Sequence, residues 1–159
     1  MEHRHSMPRY EKIWLLTGSV SLIVFLVILG VMAFGMGLDA PGHMQTIAPK
    51  EVAVTAPFNQ PALKMTAPGE YDAYMVGQIF AFNPGELQIP AGSKVHFHIT
   101  SPDVVHGLLI PGTNVNMMIV PGHITEFEYT FKRKGDYPLL CNEYCGMGHH
   151  LMMGRLRVT

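Results

Sequence analysis

The sequence predicts a mainly β domain, a small sandwich or barrel, behind one N-terminal transmembrane helix. Three observations predict it. Residues 13–38 contain no charged side chain. Val95, Phe97 and Ile99 alternate with His96, His98 and Thr100, and Phe127, Tyr129 and Phe131 with Glu126, Glu128 and Thr130, the period of a half-buried strand. Turn pairs recur between such runs, at Pro84-Gly85, Pro90-Ala91-Gly92, Pro111-Gly112, Pro121-Gly122 and Lys134-Gly135-Asp136.

The uncharged run comes first. It spans roughly 25 residues, enough for a helix to cross a hydrocarbon layer of about 30 Å. Tyr10 and Trp14 sit at one edge, where amphipathic rings favour the headgroup layer. Arg4, Arg9 and Lys12 precede it, and the next basic residue is Lys50. The positive-inside rule therefore puts the N-terminus in the cytoplasm and the rest outside. A cleaved signal peptide is the alternative, but its apolar core runs only about 7–15 residues and needs a small-x-small cleavage site. Gly18, Ser19, Ser21, Gly30, Gly35 and Gly37 leave room for a close helix partner in the membrane.

Residues 39–69 carry Pro41, Pro49, Pro57, Pro61 and Pro68. Such spacing rules out a long helix and interrupts strand ladders, so this zone reads as an extended tether packed on another subunit. Residues 70–159 form the β domain, with no repeat, low-complexity tract or helical periodicity. Strands at these intervals suit a sandwich or barrel. A domain of about 90 residues buries a modest core and gains from a metal or cross-link. The chain has 159 residues and net charge −1, which points to neither nucleic acid nor an acidic partner. Only 14% of residues are charged, against about a quarter in soluble domains, and the spanning run accounts for the deficit.

The chemistry concentrates near the C-terminus. Cys141, Cys145, His149 and Met152 form a C-x3-C-x3-H-x2-M cluster between two β patterns. Thiolate and thioether are soft ligands that select copper, and imidazole suits copper and zinc. A single-copper site of this type needs a second histidine from an earlier strand, and His106, in Ser-Pro-Asp-Val-Val-His, is the candidate. Two cysteines change the stoichiometry. Bridging thiolates hold two coppers, each completed by one histidine. The Met152 sulfur and a backbone carbonyl, for which Glu143 is well placed, are the weak ligands. A disulfide or a structural zinc site is the bland alternative for the cysteines. A disulfide explains neither His149 nor Met152, and zinc does not need Met152. The neighbouring His150, the tail residues His3 and His5, the strand residues His96 and His98, and His123 in a turn take the surface reading. Of the twelve methionines, Met117, Met118, Met147 and Met153 read as packing.

C-x-E-x-C-G-x-x-H-x-x-M, with S-x-D-V-x-H upstream and P-G then G-x-Y before the first cysteine, resembles subunit II of cytochrome c oxidase. The resemblance runs from about Tyr71 to the C-terminus. It implies a cupredoxin-like Greek-key barrel outside the membrane and a binuclear copper A centre. By position its ligands are His106, Cys141, the Glu143 carbonyl, Cys145, His149 and Met152. The chain departs from the common form in having one spanning helix rather than two. It also reads Gly77-Gln78-Ile79-Phe80-Ala81-Phe82 where that form is rich in tryptophan. Both features look like the compact ba-type branch, which implies the plasma membrane of a prokaryote. Phe80 and Phe82 become candidates for the electron path, or core residues. His106 becomes the exit ligand, with Asp103 beside it at a subunit interface.

The resemblance further implies a magnesium ion held through the Glu143 carboxylate at the subunit interface, and a proton-uptake role for Glu11, whose bland reading is a solvated carboxylate beside Lys12. It implies a subunit I that carries all the haem, a small helical subunit, and cytochrome c or a similar carrier as donor. This chain then takes in electrons for oxygen reduction and reduces no oxygen itself. A membrane-anchored copper-delivery protein, a blue-copper carrier and a nitrous-oxide reductase are the alternatives. Cys145 disfavours the first two, and the third needs a further large domain.

Overall fold

The structure is a computed structural model that describes residues 8–35 and 45–159. Arg4, His3 and His5 of the tail, the expected end of the span at Leu38 and the expected start of the tether at Asp39 lie outside the described residues. The chain divides into two compact units, Met1–Ala40 and Pro41–Thr159.

In the first unit, helix α1 covers Arg9–Gly30 and passes into a π-helical turn at Val31–Gly35. Pro8 precedes α1, where its missing N–H costs nothing, and its carbonyl takes the Lys12 N–H at 3.2 Å. At 22 residues the helix is about 33 Å long, a bilayer core's thickness. Its leucines, isoleucines and valines are exposed, as an anchor's are to lipid. Two of its hydroxyls are satisfied within the helix: Thr17 donates to the Ile13 carbonyl and Ser21 to that of Gly18, both at 2.9 Å.

The second unit is a two-sheet sandwich. Its strands are β1 Gln45–Thr46, β2 Ala62–Ala67, β3 Glu70–Gln78, β4 Ala81–Asn83, β5 Glu86–Ile89, β6 Ser93–Thr100, β7 His106–Leu109, β8 Asn116–Ile119, β9 His123–Phe131, β10 Gly135–Leu140 and β11 Met153–Val158. One sheet runs β1-β9-β6-β3-β2, with β4 also on β3, and the other β5-β11-β10-β7-β8. β3 lies parallel to β6 and β5 to β11, and the remaining pairs are antiparallel.

Alternation sets which face is buried. On β6, Val95, Phe97 and Ile99 go into the core, while His96 and His98 face out with Lys94. There Lys94 pairs with Glu128 of β9 at 2.8 Å and His98 Nδ1 with Glu126 at 2.9 Å. The second sheet contributes Leu87, Ile89, Leu108, Met117, Ile119, Leu139, Leu156 and Val158 to the same core. Gly112 and Gly122 follow their prolines with φ of 80° and 89°, the left-handed backbone that a Pro-Gly turn demands.

The tether differs from its expected form. From Gln45 on, the chain is built into the domain. β1 pairs with β9, Pro49–Glu51 makes a 3-10 turn, and β2 pairs with β3. Ile47, Val52 and Phe58 pack with Val76 in a second, smaller core. The prolines break long elements but leave room for a two-residue strand, a turn and apolar anchors.

Candidate metal centre

The donors come from two places. His106 opens β7, and the loop between β10 and β11 supplies the rest. β10 and β11 pair from Gly135↔Val158 to Leu140↔Met153, so the loop leaves and re-enters one ladder. The Cys141 N–H donates to the Met152 carbonyl at 3.3 Å, which closes the loop's neck. Its far side folds into a 3-10 turn at His149–Leu151.

Inside the loop the sulfurs converge. Cys141 Sγ and Cys145 Sγ are 3.9 Å apart, and both thiols are free, whereas a disulfide brings sulfurs to about 2.05 Å. Cys145 Sγ is also 3.6 Å from His149 Nδ1 and 3.7 Å from Met152 Sδ. The Glu143 carbonyl lies 3.2 Å from Cys141 Sγ. A ring nitrogen of His106 lies within 4.8 Å of both thiols. The structure thus brings together all six donor residues read from the sequence.

His106 is held from behind. It is fully buried, and its ring packs over Gly77 at the end of β3, where a Cβ would stand 3.5 Å from Cδ2. Its Nε2 meets Asp103 Oδ1 at 2.9 Å. That carboxylate also accepts from the Val104 N–H at 2.6 Å, the Ser101 hydroxyl at 3.0 Å and, through Oδ2, the Ile79 N–H at 2.7 Å. Burial pushes the Asp103 pKa up, but these hydrogen bonds, that of His106 first, outweigh it and hold the group below its usual range. With Nε2 donating to the carboxylate, Nδ1 keeps its lone pair. Nδ1 is buried and has no hydrogen-bond partner, a state that costs free energy unless something takes the lone pair.

That orphaned nitrogen is the test of fit for a metal, and the donor set passes it. Burial, with the hydrogen bond and charge of Cys141, pushes the Cys145 thiol up to about 11, so a metal bound there would have to displace that proton to solvent. Met152 is buried with its sulfur turned to Cys145, so the set is soft as well as nitrogenous.

The other candidates are scattered. Phe80 is half-buried, and its ring lies against the loop: a Cβ on Gly146 would stand 3.1 Å from it, and one on Gly148 would overlap it. Phe82 is a core residue. His150 is exposed. His123 opens β9 rather than sitting in a turn. Glu11 is exposed in the first turn of α1. Two arrangements had no sequence signal of their own. Asn142, between two donor residues, donates to Asn116 of β8 at 2.9 Å. His98 stands between Glu126 and Asp72, stacked on Tyr74 at 4.9 Å, in a pocket of about 550 Å³ roofed by residues 45–58.

Known proteins share this chain's sequence and fold. A family model for the periplasmic domain of cytochrome c oxidase subunit II matches residues 65–157. A cytochrome c oxidase subunit 2 of Thermus thermophilus is 36% identical over 153 residues, covering 94% of this chain and 91% of that protein. A second T. thermophilus cytochrome c oxidase subunit 2 is 38% identical over 124 residues, covering 77% and 92%. Among solved structures, a chain of a haem–copper terminal oxidase dimer superposes with a TM-score of 0.80 at 31% identity, covering 95% of this chain and 100% of that one. The periplasmic domain of subunit II of a Bradyrhizobium japonicum cytochrome oxidase shares the fold, with a TM-score of 0.51 at 18% identity, covering 62% of this chain and 86% of that one.

Proposed function

The chain belongs to the cytochrome c oxidase subunit II family, and from that premise we propose that it takes in electrons at a pair of coppers held by His106, Cys141, the Glu143 carbonyl, Cys145, His149 and Met152. It is a membrane-anchored, cupredoxin-like subunit of a haem–copper terminal oxidase, an oxidoreductase, and its role there is electron input to subunit I. The observation that carries the copper reading is the convergence of two free thiols, 3.9 Å apart, with a ring nitrogen of the buried His106 within 4.8 Å of both.

Held by these residues, copper would supply a store for one electron at a time. The rest is the chain's own work. The β10–β11 neck fixes the spacing of the sulfurs. Asp103 holds the His106 ring in one orientation and one tautomer. To hold copper, Cys141 and Cys145 would both have to give up their thiol protons to solvent. His106 sits under the surface marked by Asp103, and we assign that side to electron exit toward subunit I.

The donor side is the exposed rim of the ligand loop. Tyr144, Met147 and Leu151 are 77%, 88% and 67% exposed, a set of large apolar side chains of the kind that mark a contact surface. They support a soluble carrier such as cytochrome c as donor. Phe80, on the loop glycines, is our candidate for the path inward. The one candidate spanning helix among the described residues supports the compact ba-type form in a prokaryotic plasma membrane with the copper domain outside. A small helical subunit packed beside the anchor, magnesium on the Glu143 carboxylate and proton uptake near Glu11 complete the proposal.

Copper content and electron paramagnetic resonance of the full chain, purified in detergent and loaded with copper, test it. Two coppers sharing one unpaired electron, with the shared signal lost in Cys145→Ser, are expected. One copper with single-nucleus splitting overturns the reading and favours a blue-copper carrier.

A further inference from the structure

A backbone carbonyl has no side-chain freedom with which to reach a metal, so its position is set by the peptide groups that flank it. The Glu143 carbonyl, 3.2 Å from Cys141 Sγ, is such a ligand in the proposed set, and Asn142 is the residue before it. The Asn142 side chain runs away from the loop. Its Nδ2 donates to Asn116 Oδ1 on β8 at 2.9 Å. Its Oδ1 lies over Gly107 of β7, in the space a Cβ would fill, and the Glu143 N–H nitrogen is 3.1 Å from that same position.

The 142–143 peptide is therefore pressed onto β7 at Gly107 and hooked to β8 at Asn116. β7 and β8 are themselves paired, with Gly107↔Met118 and Leu109↔Asn116 in register, and the same β7 begins at His106. One strand pair thus presents the imidazole and holds the peptide that leads into the Glu143 carbonyl.

We infer that Gly107, Asn142 and Asn116 form a clasp of positioning residues that sets how closely the Glu143 carbonyl approaches copper, and through it the reduction potential of the centre. A neutral oxygen donor favours the oxidised metal, so weakening it raises the potential, as weak axial ligands do in related sites. The inference rests on the ligand set proposed above. Asn116 is exposed, so replacing it perturbs the clasp without opening the core.

Asn116→Leu and Asn116→Asp in the purified oxidase complex test the clasp. Copper content, the copper hyperfine pattern and the midpoint potential are measured. Asn116→Leu, which cannot accept from Asn142, is expected to keep both coppers, alter the hyperfine pattern and raise the potential. Asn116→Asp, which still accepts, should restore the wild-type hyperfine pattern. That pattern is the proper comparison, because the added charge moves the potential by itself. Gly107→Ala, which displaces the Asn142 side chain, should reproduce the hyperfine change of Asn116→Leu. An Asn116→Leu centre with unchanged hyperfine pattern and potential overturns the clasp and leaves the ligand set standing. A wild-type complex without the shared two-copper signal overturns the ligand set, and the clasp with it.

Discussion

Gly148 and Phe80 meet edge to ring, and that contact decides how the ligand loop sits. A Cβ on Gly148 would overlap Phe80 at Cδ2, and one on Gly146 would reach within 3.1 Å of Cε1. The Gly148 backbone is ordinary, with φ of −91°, so its need for glycine is one of space. Gly146, at φ of 129°, is constrained by both space and backbone. Gly148→Ala should therefore lower the stability of the copper-loaded chain by about 1–3 kcal/mol, the usual cost of overpacking, and shift the spectrum through the adjacent His149. Adding Phe80→Ala should recover part of that loss, because the two changes share one contact. Additive losses in a thermal-unfolding double-mutant cycle would show that Phe80 does not hold the loop. The cluster proposed to hold copper was legible in the sequence, since Cys141, Cys145, His149 and Met152 are neighbours in the chain and of types rarely clustered by chance. The contacts of Phe80, Asn116 and Gly107 were not, because they depend on which strands lie side by side. Nothing in Asn116's own surroundings in sequence announces Asn142.

The first sheet and the segment over it meet at Tyr74. This residue of β3 stacks on His98 of β6 at 4.9 Å, takes Phe58 edge-on at 6.1 Å and donates to Asp72 Oδ2 at 3.1 Å. Burial, then Asp72 and Glu126, raise its pKa above the usual 10.0. A neutral phenol is thus favoured by folding, and the sign follows. The contribution is complete below pH 10 and is lost as pH rises through the higher folded value, because the unfolded chain gives up this proton first. Tyr74→Phe should flatten the alkaline fall in stability, measured by denaturant unfolding of the full chain in detergent at a series of pH values. An equally steep fall in the variant would assign the alkaline limb to other groups. The period-two runs of β6 and β9 were readable because alternation declares the buried face directly. The packing of residues 45–61 was not. Proline spacing tells where long elements stop, while Ile47, Val52 and Phe58 are three isolated apolar residues whose docking site, Val76, lies on a strand the sequence does not pair with them.

For the whole molecule, the distribution of charge bears on how an electron donor finds it. Residues 39–159 carry 10 acidic and 8 basic side chains, net −2 with histidines neutral, so no strong field guides a carrier from a distance. On the outer face of β6 and β9, Lys94 pairs with Glu128 at 2.8 Å and His98 Nδ1 lies 2.9 Å from Glu126. The ligand loop instead presents Tyr144, Met147 and Leu151 to solvent. Docking through such a rim draws on desolvation of apolar side chains rather than on long-range attraction. Two measurements on the intact oxidase, with a cytochrome c supplied as the electron donor, follow. Raising the ionic strength from low to physiological should change the electron-uptake rate by less than about two-fold, since a charge-steered encounter falls much more steeply. Met147→Ser should raise the donor KM about five-fold, equivalent to about 1 kcal/mol of lost contact, and leave kcat and the two-copper signal unchanged, because its side chain is 88% exposed. A roughly ten-fold fall in rate with salt, together with an unaltered KM in Met147→Ser, would move the docking surface off the loop. The acidic positions would then be the ones to search, and the apolar rim would need another occupant.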